Sequence, residues 1–204
     1  MNTIIFNNQT ITPSKIICVG RNYVEHIKEL NNEKPESIVL FNKPNSAISE
    51  NLEFISDTTR FEGEICFVVK DSKIAGIGFG FDLTKKDVQE YLKQKSLPWE
   101  RAKAFDKSAV FSEFVTLNNN DIPNISMKLY KNDNLQQFAT YELMIHKPDE
   151  ILQEILSFST LCDGDIIMSG TPKGVGFYAK NDKFQAQIML DNKIIIDKTW
   201  TVTD

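Results

Sequence analysis

The sequence of 204 residues lacks the features that mark several large protein classes. No apolar run approaches the ~20 residues that a membrane-spanning helix needs. The N-terminus has no basic segment followed by a long apolar stretch, so a secretory signal is not expected. Acidic residues outnumber basic ones, and the net charge of −5 argues against general nucleic-acid binding. These absences predict a cytoplasmic protein with neither a membrane nor a nucleic-acid partner.

Cysteine and histidine are also scarce, which limits the metal sites and nucleophiles that the chain can build. The three cysteines, Cys18, Cys66 and Cys162, are scattered beside apolar residues, and they are expected to be buried free thiols. One of the two histidines, His26, lies three residues before Glu29. On one helical turn, a carboxylate at that spacing can reach an imidazole and orient it, so the pair is a candidate general base.

Strand signals dominate what is present, and the chain shows no repeat and no obvious linker. Runs rich in Ile, Val and Phe predict these strands: Ile4–Phe6, Lys15–Cys18, Ser37–Asn42, Phe61–Val69, Lys73–Phe81, Ser126–Lys131, Leu135–Thr140, Asp165–Ser169, Phe184–Leu190 and Lys193–Trp200. Helices are predicted over Tyr23–Leu30, from Thr84 with Asp87 as its capping-box partner, and from Pro148. The pattern indicates a single domain over residues 1–204 with a β-rich α+β fold.

Three acidic residues lie at the ends of two predicted strands. Glu62 and Glu64 are two residues apart, so a strand places both carboxylates on one face, and Asp82 ends the next apolar strand. The pattern also fits a solvated edge strand and an Asp82 that only caps a helix. If the three acids meet, they form an oxygen-only donor set, which favours Mg²⁺, Mn²⁺ or Ca²⁺ over zinc.

A site of this kind needs positive charge as well. Three carboxylates around a divalent cation keep one negative charge, and an acidic substrate adds more, so basic side chains are expected on the substrate side. Arg21, Lys43 and Lys103 are the candidates. Taken singly, each of them also fits an ordinary surface cation.

Six short motifs follow one another along nearly the whole chain. They are Gly20-Arg21-Asn22-Tyr23, Phe41-Asn42-Lys43-Pro44, Glu62-x-Glu64, Asp82-Leu83-Thr84, Leu97–Lys103 and Gly164–Gly176. Together they resemble the fumarylacetoacetate hydrolase family, and in particular its single-domain branch of acylpyruvate hydrolases and oxaloacetate decarboxylases. The resemblance implies a mixed β-sandwich roll of the fumarylacetoacetase C-terminal-domain type, with a few short helices and a homodimeric assembly.

The resemblance also implies roles for individual residues. A divalent metal, expected to be Mg²⁺ with Mn²⁺ or Ca²⁺ as alternatives, would be held by Glu62, Glu64 and Asp82. His26 with Glu29 would form a general-base pair, and Lys103 would be the cation beside the developing enolate. The substrate contacts would be Arg21, Lys43, Gln89 and Thr171. The sequence departs from the family at Phe61, where many relatives have histidine, and at Lys86, where close relatives often have arginine.

These expectations lead to a metal-dependent hydrolase or lyase that cleaves a carbon–carbon bond in small β-diketo acids through an enolate. The expected substrates are acylpyruvates, fumarylpyruvate or, by decarboxylation, oxaloacetate. The alternative is an isomerase or tautomerase of keto–enol dicarboxylates, similar to 2-hydroxyhepta-2,4-diene-1,7-dioate isomerase or to an oxaloacetate tautomerase. A metal-binding domain without activity is a third interpretation. We also expect Asn31–Pro35 to order over the substrate, and Gly63 to loosen the strand between the two glutamates.

Overall fold

The computed structural model describes residues 1–29 and 36–204, with the side chain of Lys28 left out. The strands are β1 (Ile4–Phe6), β2 (Gln9–Ile11), β3 (Lys15–Gly20), β4 (Val39–Pro44), β5 (Ile48–Ser49), β6 (Thr59–Phe61), β7 (Gly63–Lys70), β8 (Lys73–Asp82), β9 (Thr84–Lys85), β10 (Ala109–Phe111), β11 (Val115–Thr116), β12 (Ile125–Lys131), β13 (Asn134–Thr140), β14 (Ile166–Met168), β15 (Gly176–Phe177), β16 (Lys183–Leu190) and β17 (Lys193–Thr201). The helices are α1 (Val24–Glu29), α2 (Lys86–Gln94), α3 (Glu100–Lys103) and α4 (Pro148–Phe158). The predicted helix end at Leu30 and the predicted covering segment Asn31–Pro35 lie outside the described residues.

Two sheets form the body of the molecule. The larger is mixed and runs in the order β4-β3-β14-β7-β8-β10-β5, with β11 paired to β8. The second is antiparallel, in the order β13-β12-β16-β17. Buried side chains from both sheets form the main core, where the Phe81 ring of β8 lies 5.3 Å from the Phe184 ring of β16 and 5.3 Å from the Trp200 ring of β17. This is the β-rich mixed sandwich that the sequence predicts.

A glycine stripe on β8 explains how a second layer packs on the other face of the larger sheet. Gly78 and Gly80 alternate with core residues along β8, so the two positions without a side chain lie on the same face of the sheet. A Cβ at Gly78 would lie 2.7 Å from the Phe114 ring, and one at Gly80 would lie 2.8 Å from the Phe111 ring. The two phenyl rings therefore lie directly on the strand backbone.

Most predicted strands are confirmed within two residues, and the helix from Pro148 is confirmed. The predicted strand Phe61–Val69 is divided at Glu62 into β6 and β7. The predicted helix start at Thr84 is wrong, because Thr84 lies in β9 and its hydroxyl bonds to Glu62 instead of capping α2. Cys18 and Cys66 are buried as expected, whereas Cys162 is exposed. No helix in the described ranges has the length and apolarity to cross a membrane.

Candidate active site

The three acids come together because β7 and β8 are antiparallel neighbours. Glu62 directly precedes β7 and Glu64 lies within it, while Asp82 ends β8. The backbone N–H of Asp82 donates to the carbonyl of Glu62 at 2.8 Å, which fixes the register of the two strand ends. One carboxylate oxygen from each acid lies within 4.8 Å of the others, and all three side chains are buried. The spacing of the acids in the sequence therefore translates into one compact cluster.

The charges in this cluster are unevenly compensated. Burial and the negative charges of Asp82 and Glu62 raise the pKa of Glu64 well above its usual value, although Glu64 Oε2 accepts a hydrogen bond from the Gly170 N–H at 2.8 Å. Burial also acts to raise the pKa of Glu62, but the positive charges of Lys103 and His26 and the hydrogen bonds from Lys103 and Thr84 together lower it. Glu62 and Asp82 are thus each paired with a lysine, whereas Glu64 has no ion-pair partner among the described residues.

The donor set fits a hard divalent cation. Its oxygens belong to three carboxylates, and no sulfur or imidazole nitrogen belongs to the group. Asp82 Oδ1 is buried and accepts no hydrogen bond among the described residues, although Lys43 Nζ lies 2.8 Å away. Oxygen donors at low exposure, with like charges that need a counter-charge, favour Mg²⁺, Mn²⁺ or Ca²⁺.

Lys103 is the cation that bridges two acids of the cluster. Its Nζ lies 2.8 Å from Glu62 Oε2 and 2.5 Å from Asp82 Oδ2, and it donates to the Thr84 hydroxyl at 2.6 Å. Burial alone would lower the pKa of Lys103, but the charges of Asp82 and Glu62 raise it above its usual value. Lys103 therefore stays protonated at neutral pH and acts as a fixed positive charge, not as a base.

Lys43 lies behind the cluster, although a substrate contact was expected of it. It is fully buried and does not line the cleft. Its Nζ donates to the carbonyls of Lys103 and Ser108, the latter at 3.1 Å, and to the Ser108 hydroxyl at 3.0 Å. These bonds fix the end of α3, so the structure makes Lys43 a support for Lys103 and Asp82.

His26 and Glu29 form the pair that their spacing predicts. On α1, His26 Nδ1 lies 3.1 Å from Glu29 Oε2. The second oxygen of Glu29 accepts the N–H of Gly174 at 3.0 Å, so the carboxylate is held between the helix and the loop that follows β14. His26 is buried, lines the cleft with the acids, and lies close enough to lower the pKa of Glu62. A histidine oriented in this way can exchange a proton with a molecule in the cleft.

The cleft has about 440 Å³ of empty space when the open solvent at its mouth is included. Arg21, Gln89 and Thr171 all line it, as the resemblance implies. Arg21 has a φ of 61°, a left-handed conformation that is uncommon outside glycine and that concentrates at functional sites. Sequence reasoning missed Lys93, which also lines the cleft. The available signal was its position four residues after Gln89, on the same face of α2.

Gln137 is a second residue that sequence reasoning missed. Its side chain is buried on β13, where its Oε1 accepts the N–H of Gly63 at 2.9 Å and its Nε2 donates to the Thr171 hydroxyl at 2.8 Å. The Thr171 hydroxyl donates in turn to the Gly63 carbonyl at 2.9 Å. A Cβ at Gly63 would lie 2.9 Å from Gln137 Oε1. The expectation that Gly63 loosens the strand is therefore wrong, because its lack of a side chain lets Gln137 tie β7 to the loop.

Known proteins are similar to this chain in sequence and in fold. The profile of the fumarylacetoacetate (FAA) hydrolase C-terminal family matches residues 15–195. The chain is 35% identical over 188 residues to oxaloacetate tautomerase YcgM of Escherichia coli (strain K12), covering 83% of this chain and 86% of the relative. It is 35% identical over 190 residues to the mitochondrial oxaloacetate tautomerase FAHD1 of Bos taurus, covering 85% and 86%. A crystal structure of a fumarylacetoacetate isomerase/hydrolase-type protein from Oleispira antarctica has a TM-score of 0.91 at 35% identity, covering 99% of this chain and all of that one (100%).

Proposed function

This chain belongs to the fumarylacetoacetate hydrolase family, and we propose that within it the protein is an oxaloacetate tautomerase that uses a divalent cation. The observation that carries the proposal is the joint placement, in one cleft, of the acidic cluster and the oriented His26. A tautomerase needs a base for the proton on carbon 3 and positive charge beside the enol oxygen, and it needs no water nucleophile. The two relatives at 35% identity carry the name of this reaction.

Glu62, Glu64 and Asp82 are the residues that would hold the cation. When bound, a divalent cation supplies Lewis-acid stabilisation of negative charge on the substrate oxygens. Mg²⁺ is the ion we expect, with Mn²⁺ or Ca²⁺ as alternatives. Lys103, which donates to both Glu62 and Asp82, holds these carboxylates in place and adds a fixed positive charge to the same end of the cleft.

His26 carries the proton in this proposal. In the direction from keto to enol, His26 removes a proton from carbon 3 of oxaloacetate, the oxygen on carbon 2 takes up a proton from solvent water, and the imidazolium then returns its proton to the solvent. In the reverse direction, carbon 3 regains the proton and the oxygen loses one. Glu29 keeps the imidazole oriented through Nδ1, and its bond to the Gly174 N–H restrains the carboxylate itself.

Carbon–carbon cleavage, which the sequence favours as the main function, has less support than the tautomerase. Hydrolysis of acylpyruvates or fumarylpyruvate and decarboxylation of oxaloacetate would use the same stabilised enolate, so the cleft geometry is compatible with them. The relatives at 35% identity nevertheless point to the isomerisation. Cleavage of β-diketo acids therefore stays a prediction, and the experiment below separates the two reactions.

The test follows the enol absorbance of oxaloacetate in dilute, weakly catalytic buffer, together with pyruvate release. We expect the protein with Mg²⁺ to accelerate the keto–enol exchange without forming pyruvate, and EDTA to abolish the acceleration. His26→Asn should slow the exchange roughly 10²- to 10⁴-fold. Release of pyruvate from oxaloacetate or acetylpyruvate, without faster tautomer exchange, would instead establish the lyase or hydrolase.

Two further expectations belong with this proposal. A homodimer is expected from the family resemblance, and size-exclusion chromatography with light scattering would measure the mass directly. A cytoplasmic location is expected from the sequence, and fractionation of the source cells would test it.

A further inference from the structure

One basic side chain in the cleft has no carboxylate partner. Lys93 is half-buried on α2, and its Nζ lies over the Trp99 ring, 5.3 Å from the ring centroid. Within residues 1–29 and 36–204, no carboxylate oxygen lies within 4.0 Å of this ammonium. Lys103 and Lys43 differ in this respect, because each lies within 2.8 Å of an acidic oxygen of the cluster.

Two other cations lie near Lys93, together with two acids. Burial lowers the pKa of Lys93, and the nearby Arg21 and Lys103 lower it further, while Glu62 and Glu90 act in the opposite direction. Cations that crowd together at a partly desolvated site repel each other unless an anion joins them. Arg21 and Lys93 both line the cleft, so an anion placed there would meet both of them.

The charge of oxaloacetate matches this arrangement. Three carboxylates, Lys43, Lys103 and one divalent cation together leave one positive charge at the inner end of the cleft. Oxaloacetate brings two negative charges, and its enolate brings three. The keto form therefore leaves one negative charge and the enolate leaves two, and Arg21 and Lys93 are cleft cations that can balance the enolate.

We propose that Lys93, together with Arg21, forms a subsite for the distal carboxylate of a four-carbon keto dicarboxylate, and that it disfavours keto acids with an uncharged distal group. This inference rests on the proposed function, since it assumes that the α-keto acid end faces the acidic cluster. Trp99 supports the lysine side chain through a cation–π contact, and the ammonium supplies a charge-assisted hydrogen bond to the carboxylate. Gln89, one turn earlier on α2, flanks the same subsite.

The test compares Lys93→Met with the matched control Lys95→Met, an exposed lysine near the end of the same helix. Calorimetry on the Mg²⁺-loaded proteins would measure binding of two probes. Oxalate has the chelating end alone, and 3,3-difluorooxaloacetate has a distal carboxylate but cannot enolise. We expect Lys93→Met to weaken binding of the dicarboxylate about 10- to 100-fold, while oxalate changes less than 2-fold. Lys93→Arg should restore part of the difference, and Lys95→Met should leave both affinities unchanged.

The two proposals fail in different measurements. The subsite proposal is overturned if Lys93→Met weakens binding of both probes equally or of neither. It is also overturned if the wild-type protein binds neither probe. The tautomerase proposal is overturned instead when the wild-type protein with Mg²⁺ does not accelerate keto–enol exchange, whatever the ratio of the two affinities. Thermal unfolding of each variant without ligand shows whether the fold is retained.

Discussion

Two buried carboxylates near opposite ends of β14 occupy contrasting environments. Before the strand, Asp165 accepts the Ser14 N–H at 2.8 Å, the Ser14 hydroxyl at 2.7 Å, the Cys162 N–H at 2.9 Å and the Lys15 N–H at 3.1 Å, and Lys15 Nζ lies 3.1 Å away. Beyond the strand, Glu64 accepts the Gly170 N–H and faces two other acids. Burial acts against the charge of both, yet the pKa of Asp165 is lowered while that of Glu64 is raised.

The comparison shows that the supply of donors, and not burial, separates a structural carboxylate from a candidate ligand. Asp165 has enough donors to satisfy its charge, so it joins the loop before β3 to the turn before β14. Among the described residues Glu64 has one hydrogen-bond donor and two repelling neighbours, which is why we propose a cation as its partner. The lowered pKa of Asp165 thus accompanies an anchoring role, and the raised pKa of Glu64 among other acids is typical of a metal or proton site.

The largest effect is expected from Glu64→Gln, which replaces the buried carboxylate with an uncharged amide. The amide oxygen can still accept from Gly170, but one ligand charge and the repulsion are both lost. Activity should fall to the uncatalysed background, Mg²⁺ should no longer raise the melting temperature, and the metal-free protein should melt at a higher temperature than the wild type. If Mg²⁺ stabilises the variant as much as the wild type, Glu64 is not a ligand.

The next largest effect is expected from Asp165→Asn at the opposite end. Losing a buried charge that accepts several hydrogen bonds should lower the free energy of unfolding by about 2–4 kcal/mol, measured by urea denaturation. Mg²⁺ affinity and the tautomerase rate per folded molecule should stay unchanged. A matching loss of Mg²⁺ affinity would contradict the separation of the two ends.

Acidification should change the stability of the metal-free protein in opposite directions through Asp165 and through Glu64. Because the pKa of folded Asp165 is below its unfolded value of about 3.9, its stabilisation is complete above that pH and disappears as the pH falls through the folded pKa. The stability difference between wild type and Asp165→Asn should therefore narrow on acidification. Glu64, with its raised pKa, gains a proton as the pH falls, so the metal-free protein loses repulsion while Mg²⁺ binding weakens. Denaturation and Mg²⁺ titrations across a pH series measure both trends.

The smallest effect is expected from Thr84→Val, which removes one donor from the cluster. The Thr84 hydroxyl donates to Glu62 Oε1 at 2.9 Å and accepts from Lys103 Nζ. Its loss should raise the pKa of Glu62, and the missing bond should cost roughly 1 kcal/mol, a few-fold change in Mg²⁺ affinity or rate. Thr84→Ser, which keeps the hydroxyl, is the control, and an equal effect of both variants would assign the change to packing.

The sequence predicts the parts of the site that depend on local spacing. Glu62 and Glu64 share a face because strand side chains alternate, and His26 reaches Glu29 because helix side chains repeat at three and four residues. It does not predict the parts that depend on distant partners. Thr84 matches a capping box, and only the approach of Glu62 and Lys103 diverts its hydroxyl into the site.

The same reason explains why the roles of Lys43 and Gln137 were not predicted. Lys43 was expected to contact the substrate because it is a basic residue within a family motif. The carbonyls that accept its hydrogen bonds belong to residues 60 or more positions later in the chain. Gln137 is recognised only when β13 is placed beside the loop that follows β14. Lys93, in contrast, could have been predicted, because its spacing from Gln89 on a helix was visible in the sequence.

The glycine stripe of β8 has a consequence for which sequence changes the protein can tolerate. Gly80 pairs with Glu64 across the sheet, and Asp82 follows it by two residues on the same strand. A side chain at Gly80 would press on Phe111 and on Cys66, and β8, which carries Asp82 and pairs with Glu64 of β7, could relieve this only by shifting. In a survey of all single substitutions, position 80 would then look as intolerant as a metal ligand although it never meets the substrate. Natural variation in this protein is therefore expected to be restricted behind the site as well as within it.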